Sequence, residues 1–566
     1  MPCPSRVAQV GRARNSRNGP GGLRESDVLS EEVRWVLRNA RLHATDPTLR
    51  SAAGFADGAG RADPVHRAQV GRWENGDVEV TRVLVRRYET VLDLPEGQLL
   101  SAIDFFARSR NPIRSAATLP PRTEPDVDTT LALLERALGD DRMTGLDWDR
   151  LSGDLGRMPH AMVRASDWEH VFGRLLRELS LSLDLDYAQR AEALARLAGH
   201  PRSGAVVAGL AAEVVGRPDA QFYNDTLSLL QFTRDPQALS ILLGQLRAPT
   251  NASSLRACLI VLTTLVRGTR LDPETRLEAV RLAVRHLRDP DQPYLVHRGA
   301  ANLVRTLGPA GSQRVAAVLT AEDRRAVASI IRDGRAITSQ AIREARQRIR
   351  SMLETGEGRA AAGEPVLGDL LQTALGETNE EDRSNALCIL MLSPQSTVIG
   401  RVHAAVFADA MARGDHVAAH ESATVLTWMG QPEDLDLVER VALSSATPPA
   451  VAMEAGYVVG NTLEAPGRRR DDREAAFARR VAEVAVGGNG DAPAEPYAEL
   501  LRGLVYVLGM RGRRDLLTAL LDRLPSPGTD PHAMPEIARG VLGWWLAVPE
   551  HLRPGAPAPG TSSRGR

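Results

Sequence analysis

Lysine is absent from this chain of 566 residues, so all 70 basic residues are arginine. P-loop nucleotide binding, protein-kinase catalysis and Schiff-base chemistry each need an ammonium group, and the sequence therefore excludes those three classes. Arginine keeps its charge at neutral pH and does not act as a general base. The basic residues are thus restricted to recognising charge and donating hydrogen bonds.

Cysteine and long apolar runs are also scarce. Cys3, Cys258 and Cys388 lie far apart and form no CxxC pair, which argues against a disulfide framework or a structural zinc site and fits a reducing cytosol. No run approaches the ~18 apolar residues that a membrane-spanning helix needs, and no apolar segment follows the N-terminal arginines as in a secretory signal. These absences predict a cytoplasmic protein with no membrane partner.

Aromatic residues make up only 4% of the chain, and alternating β-branched runs are lacking. Strand signals are therefore nearly absent, and the sequence predicts an all-α protein. The length is too great for one core and indicates three or four domain-sized units or one extended array. A formal net charge of −1 produces no global attraction to nucleic acid, so any DNA binding depends on a local basic surface.

Shifts in composition divide the chain into five segments. The first is rich in Gly, Pro, Ser, Asn and Arg and is predicted to be a disordered basic arm, with a mis-assigned start codon as the alternative interpretation. A proline-rich linker separates two helical parts, and the C-terminal tail is again rich in proline and glycine. The predicted segments are the arm at 1–27, a first helical domain at 28–110, the linker at 111–128, an α-helical repeat-like region at 129–548 and a disordered tail at 549–566.

Recurring breaks within the long helical region suggest internal repeats. Asp235-Pro236 and Asp272-Pro273 lie 37 residues apart, and each opens an apolar pattern at helical spacing. Arg298, followed by glycine and two alanines, resembles the second helix of a HEAT repeat, and the resemblance covers residues 205–310 and, more weakly, 380–445. It implies an α-solenoid, because one helix pair cannot bury its apolar face alone. The alternative is an irregular helical bundle with chance spacing.

Residues 67–76, Arg-Ala-Gln-Val-Gly-Arg-Trp-Glu-Asn-Gly, form the most informative segment. They resemble the recognition helix of a helix-turn-helix domain, closed by the Trp-Glu-Asn-Gly turn of Cro/Xre-type repressors. After the turn, Val80 and Leu84 begin an apolar pattern at helical spacing, with Thr81 as a plausible N-cap. A further amphipathic helix is predicted over residues 96–108.

This resemblance implies that the helix enters the major groove of double-stranded DNA, with Val70 and Trp73 pointing inward. An arginine fork on guanine O6 and N7 contributes roughly 1–3 kcal/mol of discrimination. One helix-turn-helix buries too little surface for operator affinity, so a homodimer with half-sites about one helical turn apart is expected. The family's base-contacting positions fall on Arg67, Ala68 and Arg72, those beside them on His66 and Gln69, and its phosphate-contacting position on Asn75.

The chain departs from the family pattern in the helix before this segment. Ala56 and Gly60 match the family's alanine and glycine, but the spacing from Gly60 to Val70 is four residues longer than usual. This insertion predicts a longer turn over residues 61–64, with a different position of the preceding helix as the alternative. Gly54 and other glycines also weaken the preceding helix by up to ~1 kcal/mol each relative to alanine.

No catalytic, cofactor or metal constellation stands out. His416 and His420 lie four residues apart, but Glu421 points about 100° away from His420, so surface or inter-helix histidines are favoured over a zinc site. The arginine and aspartate cluster at 468–473 is predicted to be an exposed loop, with a second phosphate-binding patch as the alternative. Trp544-Trp545 is predicted to belong to the core. We expect no enzyme activity, no cofactor and no metal.

The sequence therefore predicts a sequence-specific DNA-binding transcriptional regulator. Its partners would be double-stranded DNA, a second copy of the chain, and a protein or peptide on the concave face of the helical region. The alternative is an interaction scaffold in which the N-terminal domain is a docking module. A polar pocket in the helical region is the observation that would reopen an enzymatic interpretation.

Overall fold

The computed structural model describes residues 30–59, 65–121, 123–268, 270–308, 337–355, 364–462, 468–487 and 494–553, with the single positions 313 and 317. The predicted arm, the predicted turn over 61–64 and most of the predicted tail lie outside these residues. The described residues form 26 α-helices and no β-strand, which confirms the all-α prediction. None of the described helices is both long and apolar enough to cross a lipid bilayer.

Five helices form the N-terminal part of the described chain. The third of these helices packs on the first two, and the fifth packs on the first and the fourth. Phe55 and Tyr88 stack in its core with ring centroids 4.4 Å apart. The predicted N-cap is confirmed, since the Thr81 hydroxyl accepts a hydrogen bond from the Leu84 N–H at 3.3 Å. The helices are α1 (Ser30–Leu42), α2 (Ala52–Ala59), α3 (Arg67–Asn75), α4 (Arg82–Val91) and α5 (Gln98–Arg110).

The glycine that the sequence places early in α2 has a packing reason. A short 3₁₀ turn, Pro47–Arg50, lies against α2. A Cβ atom at Gly54 would lie 1.9 Å from the Thr48 carbonyl oxygen, a distance that no side chain can occupy. Glycine therefore weakens the helix but permits the close approach of the two backbones.

The next ten helices form two parallel rows. Helices alternate between the rows, and most of them contact the helix two positions further along the chain. In the second row the 3₁₀ turn Leu229–Gln231 connects the second and third members. Asp235 and Asp272 cap two of these helices and proline occupies the first turn, as the sequence predicts. The first row is α6 (Val127–Leu138), α8 (Ala165–Ser180), α10 (Gly204–Val215), α12 (Pro236–Arg247) and α14 (Pro273–Arg288). The second row is α7 (Gly145–Gly156), α9 (Asp184–Ala198), α11 (Asn224–Ser228), α13 (Ala252–Arg267) and α15 (Tyr294–Arg305).

Eleven helices follow after the undescribed residues, and five of them form an inner row in which each contacts the next. The remaining six pack on the outside of this row or on one another. Trp545 is buried in this part of the core, as predicted. The inner row is α18 (Glu380–Met391), α20 (His416–Met429), α22 (Pro449–Asn461), α24 (Ala494–Met510) and α26 (Met534–Leu546). The outer helices are α16 (Ser339–Thr355), α17 (Pro365–Gly376), α19 (Ser396–Arg413), α21 (Leu435–Leu443), α23 (Arg468–Gly487) and α25 (Arg514–Arg523).

The predicted loop at 468–473 is wrong, because these residues form the first turns of α23. The mixed charges that suggested a loop are paired within the fold. Arg470 bonds to Glu474 one turn later at 2.7 Å, and Arg473 is buried beside Glu439 at 2.8 Å. The side chains of Arg470 and Arg473 are therefore engaged within the fold rather than presented as a basic patch.

Helix α5 joins the N-terminal helices to the rest of the protein. The expected amphipathic helix with one solvent face is not observed, because α9 and α18 cover that face and the helix is buried from Leu99 to Arg108. Its two buried charges are paired: Asp104 with Arg196 at 2.6 Å and Arg108 with Glu192 at 2.8 Å. The N-terminal helices and the long helical region therefore share a continuous interface through α5.

Candidate DNA-binding helix and central cavity

Helix α3 is anchored by a buried carboxylate in its last turn. Glu74 accepts hydrogen bonds from Arg41 Nε and Nη2, both at 2.7 Å, and from the Tyr88 hydroxyl at 3.1 Å. Burial, together with the Glu74 charge, raises the pKa of Tyr88. These bonds fix α3 against α1 and α4. Glu74 was not singled out in the sequence, where its place within the Trp-Glu-Asn-Gly turn is the only signal of this role.

Both ends of α3 are closed by local hydrogen bonds. At the start, the Gln69 side chain accepts from the His66 N–H at 2.8 Å, and the His66 ring accepts from the Ala68 N–H at 3.3 Å. At the end, Gly76 adopts a left-handed conformation with φ of 81°, which favours glycine. Its N–H donates to the Arg72 carbonyl. The ends of α3 are therefore closed by groups of the helix itself and of its caps.

The predicted DNA-contacting residues lie on this one helix and its N-cap. Val70 is fully buried and Trp73 is partly buried, which agrees with their predicted inward positions. Arg67 and Arg72 are exposed, and neither side chain has a hydrogen bond or ion pair with another described residue. Two guanidinium groups are thus available to an external partner. His66, Ala68 and Asn75 are also exposed, and Gln69 is partly buried by its role at the cap.

A cavity of about 650 Å³ lies at the centre of the helical region. The second row of the first half, α9 to α15, forms one wall, and the inner row from α18 to α24 forms the other. Tyrosine is concentrated here: five of the seven tyrosines in the chain line the cavity. Its aromatic lining residues are Tyr187, Phe222, Tyr223, Tyr294, Trp428, Tyr457 and Tyr506.

A buried ion-pair network connects the two walls. Arg298 of α15, only 1% exposed, reaches Glu380 of α18 at 2.6 Å and Glu421 of α20 at 2.5 Å. Arg256 of α13 also binds Glu380, at 2.7 Å, and Arg383 forms an ion pair with Glu421. Burial opposes ionisation of Glu380, but the charges of Arg256 and Arg298 outweigh it and lower its pKa to about 2. The network therefore stays charged at neutral pH.

The Asp225 carboxylate faces the same cavity without such support. It is partly buried, and no described residue gives it a hydrogen bond or an ion pair. Burial alone raises its pKa from 3.8 to about 6. A carboxylate whose pKa is shifted by burial in a cavity wall is typical of functional sites.

Asp225→Asn is therefore expected to stabilise the free protein. The folded state binds the Asp225 proton more tightly than the unfolded state, so wild-type stability falls as pH rises from 3.8 to about 6. Asparagine does not ionise, so burial costs it no charge. We expect the free energy of unfolding of the variant to exceed that of the wild type by about 1–3 kcal/mol at neutral pH, a range that allows for the partial exposure of the side chain. Urea denaturation at pH 7 and pH 4 measures this, since the gain should shrink at the lower pH. Equal stability of the two proteins at pH 7 would show that the carboxylate is solvated.

A second cavity, of about 160 Å³, shares Tyr187, Asp225 and Trp428 with the first. It is also lined by Phe105 and Arg108 of α5. The space inside the helical region thus extends to the helix on which α4 and α1 pack.

The histidines considered as metal ligands are separated by their environments. His416 is exposed, whereas His420 is buried between helices, and Glu421 is engaged by two arginines. Within the described part of the chain, no group of three or more His, Cys, Asp or Glu side chains is arranged to hold a metal ion. The spacing of the two histidines carried no information about the ion-pair role of Glu421.

Comparison with protein-family models and with curated proteins finds no match for this chain. The exposed helix and the cavity therefore carry the functional inference.

Proposed function

We propose that this chain is a sequence-specific DNA-binding transcriptional regulator whose helical region holds the site of a controlling ligand. The observation that carries the proposal is the position of α18. This helix lines the cavity with Arg383, Ser384 and Leu387, and its other side packs against α5. The Gln98 side chain of α5 also donates to the Leu392 carbonyl just after α18, at 2.9 Å. Helix α18 thus contacts both the cavity and α5, and α5 packs on α1 and α4, the two helices whose side chains hold Glu74 of α3.

The DNA-binding part of the proposal takes α2 and α3 as a helix-turn-helix pair. Helix α3 would lie in the major groove of double-stranded DNA, with Arg67 and Arg72 reading guanines and Asn75 positioned at a phosphate. A homodimer would place two such helices about one helical turn apart. The exposure of the two arginines and the firm anchoring of α3 support this assignment.

For regulation, we interpret the stacked rows of helices as an α-solenoid that encloses the cavity. A ligand that contacts α18 more favourably in one arrangement of α18 and α5 shifts the protein toward that arrangement and changes its affinity for DNA. By linkage, DNA binding changes the affinity for the ligand by the same factor. The location expected for such a regulator is the cytoplasm.

The cavity favours binding over catalysis. Its wall contains His420, which is buried 3.7 Å from Glu421 and whose ring nitrogens have no hydrogen-bond partner among the described residues. The Glu421 carboxylate is held by Arg298 and Arg383. These contacts support a binding role for the polar pocket.

Selection from a randomised duplex library tests the proposal. The full chain is incubated with the library at roughly 50 and 200 mM salt, because specific contacts survive the higher salt better than phosphate contacts do. An enriched sequence with guanines, arranged as two half-sites, supports a dimeric regulator. Recovery without enrichment at either salt contradicts it and favours the scaffold, in which the N-terminal helices dock a protein.

Replacing Arg67 and Arg72 together with alanine is expected to abolish sequence preference while the fold is retained. Each side chain is exposed and unpaired within the described structure, so its loss leaves no buried group unsatisfied. Two arginine contacts at roughly 1–3 kcal/mol each amount to a loss of at least tenfold in affinity for the selected site. Fluorescence anisotropy with the selected and a scrambled duplex measures this loss.

The matched control removes the same charge from a distant surface. Arg413 and Arg440 are exposed on α19 and α21, and the double alanine variant at these positions should retain full preference. If both double variants weaken binding equally, net charge rather than α3 determines the affinity.

A further inference from the structure

We propose that the central cavity binds an organic cation, a protonated amine carried on an apolar body, with the Asp225 carboxylate as its counter-ion. The inference rests on the proposed function only in treating the cavity as the controlling site. It is carried by the charge balance of the lining residues, by the position of the unpaired carboxylate and by the concentration of aromatic rings.

The lining residues carry more unpaired negative charge than positive charge. Six carboxylate residues and four arginines line the cavity. All four arginines are engaged in ion pairs, three of them in the network between the walls and Arg502 with Glu499 at 3.3 Å. Four carboxylates have no arginine partner among the described residues: Asp184, Asp225, Glu454 and Glu495. Each lining arginine therefore already has a carboxylate partner, although Arg383 Nε and Nη2 make no hydrogen bond, whereas an incoming cation finds four carboxylates that have no arginine partner among the described residues.

Asp225 is the strongest of these four as a counter-ion. Glu454 already accepts from the Thr427 hydroxyl at 3.0 Å, and Glu495 accepts from the Ala252 N–H. Asp184 is exposed at the rim. Asp225 alone combines partial burial with a carboxylate that no described donor satisfies.

Aromatic rings line the cavity together with the Asp225 carboxylate, and Tyr187 and Trp428 share both cavities with it. Burial, and after it the Asp225 charge, raise the pKa of both Tyr187 and Tyr506. Tyr187 packs edge-to-face on Trp428 with centroids 5.1 Å apart, and Tyr457 packs on Tyr506 at 5.0 Å. Aromatic faces attract a desolvated cation through the ring quadrupole, and the same faces cover an apolar body. A cavity of about 650 Å³ is in the range that holds a small organic molecule or a short peptide end.

The amine could belong to a small molecule or to the N-terminus of a peptide, and matched pairs of probes distinguish these sources. Tryptamine is compared with tryptophol, its neutral hydroxyl counterpart. The dipeptide amide Phe-Phe-NH₂ is compared with the same dipeptide acetylated at its N-terminus. Each is titrated into the full chain, with Tm measured by scanning fluorimetry and Kd by isothermal calorimetry.

We expect at least one charged probe to raise the Tm while its neutral partner does not. Asp225→Asn should weaken binding of that probe at least tenfold, because it removes the charge from a charged hydrogen bond. Asp140→Asn, which removes an exposed carboxylate far from the cavity in sequence and absent from its lining, should bind like wild type. Response to tryptamine alone identifies a small-molecule amine, and response to the dipeptide alone identifies a peptide terminus.

The inference is overturned if no charged probe binds, if neutral partners bind equally well, or if Asp225→Asn binds as tightly as wild type. All measurements use protein without DNA, so failure of DNA binding leaves this result intact. Conversely, a protein that binds none of the amines but still selects a DNA sequence would refute the amine ligand and leave the proposed DNA-binding function standing.

Discussion

Glu421→Ala is expected to lower the free energy of unfolding by about 3–5 kcal/mol, the largest single effect at the cavity. The substitution leaves Arg298 and Arg383 charged in the interior with the carboxylate between them removed. Breaking a buried ion pair from one side costs far more than the pair itself contributes, because the remaining charge stays desolvated. Chemical denaturation followed by circular dichroism measures the change.

The control for this prediction is Glu433→Ala, which removes an exposed carboxylate from the turn after α20 and should change stability by less than about 0.5 kcal/mol. The pH dependence provides a second check. Burial opposes ionisation of Glu421, but Arg383 and Arg298 lower its pKa well below the usual value of 4.5. Its contribution is therefore present above pH 4.5 and lost only at much lower pH, so the deficit of the variant should persist at pH 4. A deficit that disappears by pH 4 contradicts the ion-pair assignment.

Glu74→Ala is expected to destabilise the protein by a similar amount, about 3–5 kcal/mol, and to loosen α3. Arg41 then remains buried without its bidentate partner, and the Tyr88 hydroxyl loses its acceptor. Because α3 is held by this carboxylate, DNA binding should weaken along with stability, unlike in the Arg67 and Arg72 double variant. Unfolding curves and anisotropy on the same preparations separate the two outcomes.

Glu79→Ala, at an exposed position after the α3 turn, serves as the matched control and should leave both properties unchanged. The double variant Arg41→Met with Glu74→Leu removes both charges and should recover much of the lost stability, since hydrophobic replacement of a buried pair is often neutral. No recovery in the double variant would indicate that shape, not charge, sets the cost at this position.

The helix caps of this fold could be predicted from the sequence because the groups that form them are neighbours in the chain. Asp235 and Asp272 cap helices two or three residues away, and Thr81 does the same for α4. The burial of Val70 follows from its spacing within α3. The groups that form the caps lie within one helical turn, so the pattern that predicts them is visible in a few residues.

The cavity and its network could not be predicted in the same way. Arg298 meets Glu421 across 123 positions of the chain, and Asn39 meets Gln395 across 356. No periodicity links such residues, so no short stretch of the sequence indicates that they meet. Helix α5 shows the same limit: its charges suggested a solvent face, but distant helices supply the partners that allow Asp104 to be buried.

The burial of α5 has a consequence for the ancestry and engineering of this protein. Recombination of domains needs a boundary that few contacts cross. A cut after residue 110 would strip α9 and α18 from α5 and leave the Asp104 and Arg108 charges without their partners. In a chimera joined there, the apolar face of α5 would be exposed, and Asp104 and Arg108 would lack their ion-pair partners. The two parts of this chain are therefore expected to have been inherited together, and a workable graft has to carry α9 and α18 with the N-terminal helices.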